Sequence, residues 1–373
     1  MSGQGAQDGD PHGDQHRDWW AQLYDPHAPD TGRAGARDTL DERYRSVTRT
    51  LTDTRAPEPA AAEPMPTPGR EPAPGILPVA DPGSLGELVP DTVVEGTRYG
   101  RAALRAVSVR GERARRAGEL RTDALLAVRI GAGEEGLVLV AVAAGARSGP
   151  GGHRAAREAC HSIGAAIGRS SARLADDIRT GRNSALQPGL HRLTDRTFGR
   201  LRAQAAALGL APEQYTADLR CLLLPADPDC RTRVFFGAGG GGLLRLRDGA
   251  WQDIEPPATM SPAPEARSVI DRDPAAGAAA ARDGFTPAEP PEPARTEPFR
   301  FRSCAARPGE VLLMCSPGLA EPLHAEPPFA DRLAARWGNP EAEPPGLAAY
   351  LADLQHAVEG CEGDRTAVTV WER

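Results

Sequence analysis

The sequence predicts an α+β fold: two antiparallel β-sheets packed as a sandwich, flanked by pairs of helices, behind a disordered N-terminal tail. Two observations carry this. Apolar runs of strand length follow one another through turn-like connections, which suits antiparallel pairing and fits parallel β-α-β winding poorly. Along the chain the order is strands, two helices, strands, two helices and a last strand. A third observation sets the boundary: before about residue 96 no apolar pattern is long enough to build a core.

The tail, residues 1–95, is acidic and rich in proline and alanine, with two features. Asp18-Trp-Trp-Ala-Gln-Leu-Tyr-Asp25 sets three aromatics in a segment without a visible core, and exposed large apolar groups call for a partner. Leu40, Tyr44, Val47 and Leu51 are spaced 4, 3 and 4, one face of a helix over 38–51. Thr39 and Glu42 fit a capping box at its start. These aromatics dock either on the body or on a partner.

The body, 96–373, opens with a strand over Ala103–Val109 and an arginine-rich loop from Arg110 to Ala124. Asp123–Ile130 and Gly136–Ala143 form a strand pair. A long helix starts at Gly152 with Ala156, Cys160, Ile163, Ile167 and Leu174 on one stripe. Pro188 separates it from a second helix, His191 to Leu208. Apolar runs at Leu219–Leu224, Arg233–Phe236 and Leu243–Leu246 give further strands, with a hairpin turn at Asp248-Gly-Ala-Trp251. Gly237-Ala-Gly-Gly-Gly-Gly242 lacks the G-K-[ST] ending of a phosphate-binding loop and reads as a hairpin connection. A Pro/Ala-rich insert at about 256–298 either covers a cleft or extends freely. Phe299–Cys304 and Glu310–Met314 are strands, Met314–Leu323 breaks away, and two helices follow, the later one carrying Leu347, Tyr350, Leu351, Leu354 and Val358. Gly363–Trp371 closes the chain as a strand.

Composition removes several function classes. Of 36 prolines, 20 fall in residues 57–90 and 256–298, stretches that read as extended linkers. Net charge is -7, and residues 1–84 carry 14 acidic side chains against 8 arginines, leaving the body nearly neutral at 37 against 36. Such a body offers no electrostatic footprint for nucleic acid. All 44 basic residues are arginine, which excludes Schiff-base chemistry and a phosphate-loop lysine. Six cysteines without a C-x-x-C pair read as buried free thiols. No apolar run has the ~18 residues of a membrane span, and the start of the chain lacks a leader's apolar core, so a cytoplasmic protein is expected.

Five short motifs then fall in order: Arg110-Gly111…Gly118-Glu-Leu-Arg121-Thr-Asp123, Val142-Ala-Ala-Gly145, Gly237-Ala238, Ser316-Pro-Gly318 and Gly363-Asp-Arg-Thr366. Their order and strand-end placement resemble the metal-dependent serine/threonine protein phosphatases of type 2C, in their actinobacterial form, over about residues 98–373 outside the insert. The family's pattern is R-G…G-x-x-R-Q-D, V-A-D-G, G-D, S-D-G and D-[DN]-x-T. Its activity uses two divalent cations that share a bridging carboxylate and an attacking water.

The resemblance places the former metal-site positions at Ala144, Gly145, Ala238, Pro317 and Gly363. Four of them lack the family's aspartate and have no side-chain oxygen, whereas Mg²⁺ and Mn²⁺ require oxygen donors. Asp123, the Gly145 carbonyl and a displaced Asp364 remain. The expectation is therefore a pseudophosphatase with no catalytic residue, no metal and no cofactor, acting as a regulatory or binding module in phospho-signalling. A protein partner, a serine/threonine kinase or its substrate, goes with that setting. The alternative is an active Mn/Mg-dependent phosphoserine/phosphothreonine phosphatase with a rearranged site built from Asp123, Asp364 and Glu362. Arg110, Arg121, Arg147, His153 and Arg154 are candidate anion-binding residues at the mouth of the old cleft.

Overall fold

A computed structural model describes residues 75–147, 149, 151–258 and 298–373. All of them belong to one compact unit, Pro68–Arg373. The aromatic segment at 18–25, the helix at 38–51 and the body of the Pro/Ala-rich insert lie outside the described residues.

Eleven strands among these residues form two antiparallel sheets. The first has the order β1 (Thr92–Tyr99), β2 (Ala102–Val109), β11 (Arg365–Glu372), β10 (Val311–Cys315), β7 (Gly242–Arg247), β8 (Ala250–Asp253). The second has the order β3 (Asp123–Ile130), β4 (Leu137–Gly145), β5 (Ala217–Pro225), β6 (Thr232–Ala238), β9 (Phe299–Ala305). Side chains alternate across a strand, and β4 shows the consequence. Val138, Val140 and Val142 face the other sheet, packing with Leu104, Leu222, Phe235, Met314 and Val368. Leu137, Leu139, Ala141 and Ala143 face outward, beneath helices α2 (Gly152–Arg169), α3 (Ser171–Arg179) and α4 (Asn183–Ala207). On the other side, α5 (Pro317–Ala325), α6 (Pro327–Trp337) and α7 (Leu347–Leu354) cover the first sheet through Leu319, Leu333, Trp337 and Tyr350. Three apolar layers thus hold a helix–sheet–sheet–helix stack.

Several elements differ from the sequence expectation, each for a local reason. The described body contains a strand, β1, that starts at Thr92, before the expected boundary at 96. It pairs along its length with β2, and as an edge strand it shows only a weak apolar pattern. The arginine-rich loop contains a short helix, α1 (Glu112–Ala117), closed by Gly118 in the left-handed region at φ 66°. Arginine and alanine favour a helix, but six residues are too few to show a period.

Pro188 lies inside α4 and does not end it. The break falls at Gly181 and Arg182, because near a helix start a missing N–H costs at most one intrahelical bond. The stripe ending at Leu174 runs over two helices, divided at Ser170. The segment leaving β10 is itself the helix α5. The glycine run 237–242 is no hairpin: β6 belongs to the second sheet and β7 to the first, so it carries the chain across the sandwich. The turn at Asp248 and Gly249 is a two-residue hairpin, with φ 51° and 75°, both left-handed as a type I′ turn requires.

Candidate functional site

The inward-facing row that runs along β4 ends at Ala144, and the ladder fixes its neighbours. Asp123 of β3 stands opposite Ala144 on one side and Asp218 of β5 opposite it on the other. Directly opposed residues project to the same face, so two carboxylates flank an alanine at one end of the sandwich. Here the sheets open into a cleft of about 440 Å³, lined also by Thr122, Gly145, Ala146, Arg147, Pro317, Gly318, Glu321 and Asp364.

The carboxylates differ in what holds them. Asp364 is fully engaged by the polypeptide. Its Oδ1 accepts from the Gly111 N–H at 2.7 Å, and its Oδ2 accepts from the Thr122 N–H at 2.6 Å and the Thr122 hydroxyl at 2.7 Å. It staples the start of α1 and the approach to β3 onto the last strand. Asp123 is buried, 5% exposed, and accepts from the Thr366 hydroxyl at 2.8 Å. Thr366 in turn contacts the Ser108 hydroxyl at 2.7 Å, and its N–H donates to Ser316 Oγ at 3.0 Å. Burial, reinforced by the charge of Asp364, pushes the Asp123 carboxyl up to about 7 against the hydrogen bonds from Thr366 and Ser316.

Asp218 is also raised by burial, opposed by the Gly240 N–H and by the charges of Arg220 and Arg147. The glycine run wraps this side chain: Gly239 has φ 94°, and a Cβ on it would stand 2.1 Å from Asp218 Oδ1, so no side chain fits there. Glu321 is exposed at the rim.

Of the former metal-site positions, Ala144, Gly145 and Pro317 line the cleft. Gly363 lies beside Arg147, whose Nη2 would be 2.9 Å from a Cβ there. Ala238 is buried on the opposite face of its sheet, in the layer under α2–α4. Glu362 turns away to pair with Arg116.

The five candidate anion-binding residues do not converge. Arg110 is buried, pairs with Asp91 at 3.0 Å and donates to the Glu119 and Ile76 carbonyls. Arg121 is buried and donates to the Ser108 and Asp123 carbonyls at 2.6 and 3.0 Å. Arg154 pairs with Glu87. His153 is half-buried beside Arg154, and burial together with that charge lowers its basicity. Only Arg147 lines the cleft. One guanidinium among four carboxylates is a poor match for an anion.

Sequence reasoning did not single out Asp218 or Glu321. Asp218 stands just before the apolar run of β5 and belongs to none of the five motifs, so only its register opposite Ala144 reveals it.

Two hard cations need several carboxylates free to coordinate. Asp364 accepts from three protein donors, Asp123 is buried and bonded to the Thr366 hydroxyl, and Ala144, Pro317 and Gly363 contribute no side-chain oxygen. Among the described residues no three His, Cys, Asp or Glu side chains are arranged to hold a metal ion. The residues do not fit the two-metal centre.

The cysteines add no second chemistry. Among the described residues all six are free, with Cys160, Cys221 and Cys315 buried and Cys230, Cys304 and Cys361 half-buried. Burial pushes the Cys160 thiol up to about 12, far from a reactive thiolate. No helix among the described residues is long and apolar enough to cross a membrane.

Three solved structures are similar to this chain. PppA of Pseudomonas aeruginosa, described as a key regulatory component of T6SS, is similar over 75% of this chain and 100% of its own, at 20% identity and TM-score 0.43. The Mycobacterium tuberculosis serine/threonine phosphatase PstP/Ppp is similar over 75% and 100%, at 19% identity and TM-score 0.40. The S. agalactiae serine/threonine phosphatase is similar over 73% and 100%, at 14% identity and TM-score 0.46. No curated protein matches the chain in sequence. The family model for protein phosphatase 2C matches residues 110–355, more than half of the chain, and the chain belongs to the protein phosphatase 2C family.

Proposed function

We propose that this domain is a pseudophosphatase: a protein phosphatase 2C scaffold that works without metal, as a regulatory or binding module in phospho-signalling. The observation that supports this most is the lining of the cleft. Ala144 and Pro317 face it where the family resemblance puts carboxylates, and Asp364, a nearby oxygen donor, is consumed in joining α1 and β3 to the last strand. A protein ligand fits this reading better than a small anion, since the open cleft carries an excess of carboxylates. A serine/threonine kinase or its substrate, met in the cytoplasm, is the partner the family setting suggests.

The test is turnover of a phosphothreonine peptide by the full chain in the presence of Mn²⁺. The expected result is no phosphate release above a protein-free control. A second reading, an active enzyme with a rearranged site, draws on Asp218, a carboxylate that the cleft gains beyond the expected set. Turnover abolished by Asp218→Asn would establish that reading and end the first.

A further inference from the structure

Arg147 leaves the end of β4 and turns into the cleft. A Cβ on Gly363 would stand 2.9 Å from its Nη2 and 3.6 Å from its Cζ. The guanidinium thus lies over Gly363, in space that a larger side chain there would share. The charge of Arg147 acts on Asp218. It is the only cationic side chain in a lining that also holds Asp123, Asp218, Glu321 and Asp364.

We infer that Arg147 is the resident cation of this cleft. It supplies positive charge among the carboxylates, and it repels divalent ions from the oxygens that remain. The inference rests on the metal-free reading and gives it a cause beyond missing ligands. A positive charge within several ångströms of a divalent ion near a protein surface weakens its binding by about tenfold or more.

The experiment is thermal denaturation and calorimetric titration of the full chain with MnCl₂, for wild type, Arg147→Ala and Arg147→Gln. Arg147 is exposed, so both variants keep the fold. Expected are no response in the wild type and a saturable rise in melting temperature in both variants. Their affinity for Mn²⁺ should be about tenfold or more above the wild type's, and adding Asp218→Asn should remove the response.

Variants as unresponsive as the wild type would overturn the role of Arg147 and leave the metal-free reading standing. A response in Arg147→Ala alone would assign exclusion to bulk and overturn the charge argument. A response that survives Asp218→Asn would place the ion elsewhere and overturn it too. Wild-type protein that takes up Mn²⁺ as well as the variants would end both readings.

Discussion

Asp364 and Asp123 stand within one cleft and do opposite things for the fold. The first satisfies three donors in the approach to the site. Asp364→Ala would leave the Gly111 and Thr122 N–H groups without their acceptor, at a cost of about 2–4 kcal/mol, read as a lower urea midpoint. A loss of any function in that variant therefore reports on folding before chemistry. Asp123 loads the fold with a carboxyl that prefers to be neutral. Its free value is 3.8 and its folded value about 7. A group raised on folding contributes stability that is complete below the lower value and lost as pH rises through the higher one. Relative to Asp123→Asn, the wild type should therefore lose stability between about pH 4 and 7, on the order of 2–4 kcal/mol in all, and then level off. Parallel urea profiles for the two proteins at pH 5 and pH 8 would contradict this.

At the scale of elements, the crossing from β6 to β7 depends on a buried arginine. Arg220 points between the sheets from β5, lies over the Phe235 ring at 4.9 Å, donates to the Gly240 carbonyl at 3.2 Å and pairs with Glu255. Asp218, two residues earlier on the same face, is clasped by the same glycine run. Arg220→Met would leave Glu255 with only Arg300, 3.5 Å away, and free the loop. The expected results are a loss of about 2–4 kcal/mol and faster amide exchange confined to residues 239–242 and the start of β7. Unchanged exchange there would show that the glycines hold their path alone.

This element also marks the limit of what the chain discloses. Strands β4, β5 and β10 are legible because nearly every residue is buried and the strand shows it as an apolar run; β3, half-buried at the sheet edge, is legible from its apolar composition. The glycine run says only that the chain bends sharply; which sheet receives the next strand depends on contacts distant in sequence. Pro188 misleads because a proline's cost depends on how far it lies from the helix start, and that start, at Asn183, has no capping side chain to announce it. In the cleft, Ala144 and Pro317 are legible through motif order. Asp218 is not, since its role comes from a ladder position across β4. Arg110 and Arg121 look like surface charge in sequence, yet they are buried and spent on carbonyl groups.

For the whole molecule, the packing of the scaffold is largely separate from the lining of the cleft. Three apolar layers, one under each set of helices and one between the sheets, hold the domain through residues of which, among those described, Ala217 alone lines the cleft. The cleft end is tied by Asp364, Thr366, Ser316 and Ser108, all bonded within the polypeptide. On the metal-free reading, a chelator should leave the melting temperature of the purified chain unchanged. The most direct measurement is the number of ions retained: equilibrium dialysis of the full chain against MnCl₂ at pH 7.5, followed by elemental analysis. The account predicts no Mn²⁺ per chain above the dialysis buffer, and two ions retained per chain would contradict it.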